Sequence, residues 1–196
     1  MKTRFVLLPG VLAAILLSGC LAVAEKEYEW TVNPDGSGSG VIIWRDLFSL
    51  DSEDSDNSAQ TFVELINDYI NGHTFESENP GLKNVQKRLF MEDQKLCAAI
   101  SFDFSSLLDA GFYRYQNEGP VMRALDKDES FLSSSGNWEE VFPVVFFDIA
   151  KKSLKLKTRV SDPTASGAHS LAQYYSAWSK DRSLPELPDD EFDWNW

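Results

Sequence analysis

An α+β domain, a mainly antiparallel sheet built from hairpins with about two helices packed on one face, is the fold that three features of this chain predict. Hydrophobic residues alternate at period two in several segments. Short turns join those segments, too short for most parallel crossovers, and two other stretches carry helical spacing. Hydrophobic residues make up 43% of the 196 and aromatics 13%, enough apolar surface to offset the entropy of ordering one domain. Eighteen Lys and Arg against 31 Asp and Glu give a net charge of −13, with no basic stripe interleaved with aromatics. Such a surface repels phosphate backbones, which removes nucleic-acid binding from the candidate functions.

The first strand is read at Glu27–Val32, where Tyr28, Trp30 and Val32 share one face and Glu27, Glu29 and Thr31 the other. The turn residues Asn33 to Gly38 lead into a return strand at Val41–Trp44, completing a hairpin. After the acidic loop Asp51 to Asn57, a helix is signalled by Phe62, Val63, Ile66 and Ile70, with Asn57 as cap and Asn71-Gly72 as stop. A second hairpin joins Val85–Met91 to the strand whose apolar face is Leu96, Ala98, Ile100, Phe102 and Phe104. Shorter elements follow, with a helical turn in Ser105–Gly111 and a strand at Phe112–Tyr115. Val141–Ile149 reads as a buried strand that starts near Pro143, paired in a third hairpin with the strand carrying Leu154, Leu156, Thr158 and Val160. A last helix is expected from Gly167 to Lys180, before an extended acidic and aromatic tail at 183–196.

The N-terminus supplies an address. Lys2 and Arg4 precede a thirteen-residue apolar run, Phe5 to Leu17, too short to cross a bilayer and followed by Leu17-Ser18-Gly19-Cys20. That tetrad resembles the lipobox of bacterial lipoproteins. The resemblance covers about the first tenth of the chain and implies a signal peptide at 1–19, removed so that Cys20 becomes a lipidated N-terminus. Removal of Lys2 and Arg4 takes the charge from −13 to −15. Diacylglycerol and a further acyl chain of the palmitate type on one cysteine would hold the protein on the membrane essentially permanently. Leu21 stands where retention in the inner membrane usually calls for Asp, so the outer membrane is the favoured location by that resemblance. The expected organisation is then Cys20 and a short tether over 20–26, a single domain over 27–182, and the tail.

Few residues carry a chemical signature. Asp51, Glu53, Asp54 and Asp56 gather hard oxygen ligands of the kind calcium takes, but the spacing is not that of an EF-hand, and a solvated loop capping a helix is the primary reading. Asn33, Asp35, Ser37 and Ser39 are explained by their turn. Cys97 is the only thiol besides Cys20 and has no histidine near it in sequence, so it reads as a small shielded residue. No catalytic residue is assigned; dispersed carboxylates such as Asp103 and Asp148 leave no local pattern. Trp194 and Trp196, alternating with Asp193 and Asn195, are the candidate binding residues, able to dock on the chain's own sheet or on a partner. The expected function is a non-enzymatic, membrane-anchored binding module of the cell envelope, for an apolar ligand or an envelope protein. A structural or assembly lipoprotein with a filled core is the alternative, followed by an envelope hydrolase. Apart from the lipid, no cofactor is expected.

Overall fold

The computed structural model describes residues 21–52, 55–114 and 119–187. Strands β1 (Leu21–Val32) and β2 (Gly38–Leu50) form the first hairpin, and β3 (Leu82–Glu92) and β4 (Lys95–Phe104) the second. With β6 (Ser130–Ser134) and β9 (Ser153–Arg159) they make an antiparallel sheet in the order β3-β4-β2-β1-β9-β6. A short β10 (Ala168–Ser170) pairs with the end of β2. A second sheet, β5-β8-β7, is built from Val121–Ala124, Val144–Phe147 and Asn137–Glu139. Helices α1 (Ser58–Glu64), α2 (Thr74–Glu78) and α3 (Ala172–Asp181) complete an α+β fold, and α1 continues into a π-helical segment, Leu65–Ile70.

The even-numbered positions of β1 and β4 place Tyr28, Trp30, Val32, Leu96, Ile100 and Phe104 on one inner face, as their alternation predicts. Trp44 on that face meets Tyr69 and Phe75 of the helical layer, while Trp30 meets Phe112 and, from the small sheet, Phe147. Helices and small sheet therefore share one side, and one continuous core runs beneath them. The outer face is a charged ladder: Lys157 reaches Glu25 at 2.7 Å and Glu27 at 2.9 Å, Arg45 reaches Glu27 and Glu92, and Lys155 reaches Glu29 at 3.3 Å.

Four sequence readings need correction. Residues 21–26 are not a tether: they belong to β1, with Leu21 and Val23 buried and paired to Ser49 and Leu47. The alternation shifts at Ala24, opposite Asp46, whose φ of +59° breaks the pleat, and this hides the strand from a period-two search. The third hairpin does not exist. Val144–Phe147 is the centre of the small sheet, whereas Ser153–Arg159 pairs with β1 and β6. Asn57 makes no side-chain cap; Asp56 Oδ1 accepts from the Ser58 backbone N–H at 3.0 Å in its place. The last helix starts only at Ala172, because Gly167 at φ +82° turns the chain into β10 first.

Register defines two ends of the large sheet. Leu21 and Leu50 mark one; Gly38 opposite Val32 and Phe104 marks the other. β6 runs away from the Leu21 end, since Ser130 pairs with Arg159 and Arg159 with Glu25, whereas Ser134 pairs with Leu156 and Leu156 with Tyr28. β7 returns toward it, with Trp138 stacked 4.5 Å from Phe131. The turn after β7, with Val141 and Phe142, therefore points to the same end as Leu21.

Candidate functional site

Sequence reasoning missed the most unusual feature of the sheet's inner face. Lys26 lies on the inner face, in step with Tyr28 and Trp30, and is 6% exposed. Its Nζ donates to Glu129 Oε1 at 2.9 Å, and the Tyr28 hydroxyl donates to the same oxygen at 2.8 Å. Arg123, 3% exposed, lies 5.0 Å from the ring centres of both Tyr28 and Trp30 and donates to the Ala110 carbonyl at 3.3 Å. Burial pushes the Glu129 carboxyl up, but the charge of Lys26 and the bonds from Lys26 and Tyr28 outweigh it and hold the group below its ordinary range. Asp126 lacks that compensation: burial and the Glu129 charge push its carboxyl up, and its Oδ2 has no hydrogen-bond partner among the described residues. A lysine at a period-two position shared with Tyr28 and Trp30 was the readable signal, since such a cation needs a buried counter-charge.

The cluster positions the surface above it. Glu129 closes the segment between β5 and β6, and in that segment the Leu125 N–H donates to the Pro143 carbonyl at 3.0 Å. The turn carrying Val141 and Phe142 is thus tied to the segment that Lys26 holds. These two side chains are 79% and 70% exposed, the most exposed large apolar residues described. Adjacent exposure of this degree is unusual where single exposed apolar residues are common.

On the outer face near the same end is a cleft of about 440 Å³, lined by Arg45, Lys95 and Arg159 together with Glu25, Glu92, Asp93 and Asp162. Both signs of charge face it, a lining suited to a polar ligand or a peptide. Cys97 lies on its floor, 2% exposed, and burial pushes the thiol up, away from the reactive thiolate.

Among the acidic-loop candidates, Asp51 and Asp56 come together, with His169 added: one ligand atom of each lies within 4.8 Å of the others. Their carboxylates already accept protein hydrogen bonds. Asp51 takes the Ser49 hydroxyl at 2.7 Å and the Asn57 backbone and side chain, while Asp56 takes Ser58. This arrangement ties the loop to the start of α1. Glu53 and Asp54 lie outside the described residues, as do Cys20, Trp194 and Trp196. Asp103, in β4 and bonded to Asn84 at 2.7 Å, and Asp148, just after β8 and bonded to the Ala150 N–H at 2.9 Å, are each held locally. An apolar ligand would have to lie between the helix residues Phe62, Ile66 and Ile70 and the sheet residues Leu96, Ile100 and Phe104, and these are buried in the continuous core, with Ile70 packed against it.

No protein-family profile, curated protein or solved structure matches the chain. No helix among the described residues is long and apolar enough to cross a membrane.

Proposed function

We propose that the chain is a lipid-anchored protein of the bacterial cell envelope, carrying its lipid on Cys20 and acting as a non-enzymatic binding module for a membrane-proximal ligand or protein. The supporting observation is that Leu21, the residue after the lipobox cysteine, already belongs to β1. One Cα–Cα step, about 3.8 Å, then separates the lipidated residue from a buried strand, so the domain rests on the bilayer rather than reaching away from it. Val141 and Phe142 fit that reading, because register sends their turn to the same end. The mixed-charge outer cleft is the ligand surface on this reading, and it too faces the lipid end.

A structural or assembly role is the second reading, favoured by the packed core, which places recognition on the surface. Outer-membrane placement rests on Leu21 in the position after the cysteine. The deciding experiment is membrane fractionation of the wild type and Cys20→Ala in an exporting bacterial host. Loss of membrane association in the variant is expected; equal partitioning of the two would overturn the anchor.

A further inference from the structure

We propose that the Leu21 end of the large sheet is a contact surface for a zwitterionic lipid bilayer, on which Met91, Leu50 and the Val141–Phe142 turn rest together and fix the orientation of the domain. On the lipid-anchored reading, which this surface presupposes, it supplies contacts on either side of the anchor. One row of paired residues crosses the whole large sheet, Leu89–Ala98–Trp44–Lys26–Thr158–Phe131. Trp138, stacked on Phe131, puts β7 of the small sheet at the same level. Met91 follows Leu89 toward the Leu21 end, Leu50 follows Trp44, and Val141 and Phe142 follow Trp138. Half of the large apolar side chains exposed among the described residues, Leu50, Met91, Val141 and Phe142, therefore lie on one side of that row. Clustering of this kind marks an interaction surface, whereas single exposed apolar residues need no explanation.

The spacing of these contacts is what gives them an effect. β3 and β6 are the two edges of the sheet, five strand spacings apart, so Met91 and the strand under Trp138 stand roughly 24 Å from each other with β1 between them. A lipid on one residue leaves a domain free to tilt about that point, and contacts on both flanks remove the freedom. The turn is also stiff before it meets anything. The Val141 N–H donates to Glu139 Oε1 at 3.0 Å, the Leu125 N–H donates to the Pro143 carbonyl at 3.0 Å, and Pro143 fixes its own φ, so little entropy is lost on contact. Side chains of this kind gain by leaving water at the boundary of headgroups and acyl chains, about 5–10 Å deep. Charge selects the lipid. Glu139 and Glu140 flank the turn, Asp93 follows β3, and the chain carries a net charge of −13, so an anionic surface repels this end and a zwitterionic one does not.

The test places a nitroxide at Met91→Cys, far from the turn, in the full lipidated protein reconstituted into phosphatidylcholine vesicles, with a water-soluble relaxant reporting exposure. Cys97 is buried, so the label goes to the new thiol. Leu108→Cys, past β4 at the opposite end, is the exposed reference. We expect relaxation at Met91→Cys to be at least threefold weaker than at Leu108→Cys. Val141→Ser and Phe142→Ser introduced together should remove at least half of that protection while the membrane-bound fraction stays unchanged. Both serines replace exposed side chains, and equal denaturation midpoints show that the variants fold. Equal relaxation at the two labels overturns the proposal, as does protection of Met91→Cys that the serines leave intact. Protection already present in unlipidated Cys20→Ala protein without vesicles, and growing with protein concentration, assigns the surface to a second copy and overturns the bilayer as its occupant. Stronger protection when a third of the lipid is phosphatidylglycerol overturns the zwitterionic surface. Failure of the anchor itself reads differently, as Cys20→Ala protein that partitions with membranes as fully as the wild type.

Discussion

Lys26→Met removes one partner of the buried pair and leaves the Glu129 carboxylate, 2% exposed, with the Tyr28 hydroxyl as its remaining donor. Breaking a buried ion pair from one side costs about 3–5 kcal/mol, because an uncompensated charge stays in the interior. For a domain of this size that lowers the thermal midpoint by roughly 10 °C. The pH dependence gives a sharper criterion. In the wild type the Glu129 carboxyl is held below its usual value of 4.5, so its contribution is present above that pH and lost as acid protonates the folded group. In Lys26→Met the opposite holds, since the unpaired buried carboxyl is raised and protonation relieves the strain. The deficit of the variant, measured by urea unfolding from pH 8 to pH 4, should therefore shrink on acidification. Adding Glu129→Gln to Lys26→Met should recover most of the loss at pH 7, because both members of the ion pair are then gone and neither is left charged without the other. A loss below about 1 kcal/mol, or a deficit that does not change with pH, would refute the account of the cluster.

Gly40→Ala places a Cβ 2.6 Å from Phe102 Cζ and 2.9 Å from Trp30 Cδ1, and should destabilise by about 1–3 kcal/mol in the same urea assay. With Cys20 replaced by Ser, Cys97 should stay unreactive toward a chromogenic disulfide in the native protein and react at once in denaturant; a fast native reaction would show that the thiol is not shielded. Millimolar calcium should leave the thermal midpoint unchanged, because the Asp51 and Asp56 carboxylates are already hydrogen-bonded; a rise reversed by a chelator would reinstate Asp51, Asp56 and His169 as a ligand set. In the lipidated protein reconstituted into zwitterionic vesicles, a spin label at Phe142→Cys should be shielded from a water-soluble relaxant, and one at Leu108→Cys, beyond the opposite end of β4, should remain open to it. Equal accessibility would remove Val141 and Phe142 from the membrane surface.

The two hairpins were legible because each step was local: Tyr28, Trp30 and Val32 alternate with acids, and Asn33 to Gly38 can only turn. Val144–Phe147 showed that it is a strand but not which sheet it joins, since an almost wholly apolar run carries no facing signal. Ser130–Ser134 was hidden for the opposite reason, its serines reading as loop although Phe131 stacks on Trp138. Of the candidate site, the grouping of Asp51 with Asp56 was visible, and His169 was not, because β10 brings it back to the end of β2 from far along the chain. The partner of Lys26 was unreadable for the same reason: Glu129 is more than a hundred residues away.

The place of β1 between β2 and β9 also fixes an order of events during synthesis. Glu25 and Thr31 pair with Arg159 and Ser153, so the first strand to emerge waits for one of the last. At about 5–20 residues per second the intervening stretch takes roughly 6–25 s to make, and pairing over such separations is slow in itself. Until then the nascent β1–β2 hairpin exposes an unpaired edge to every other chain nearby. Glu25, Glu27 and Glu29 alternate along that edge, and their mutual repulsion between copies deters intermolecular pairing. The same three carboxylates that later meet Lys155 and Lys157 act first as gatekeepers, reserving the edge for the one strand that brings matching cations.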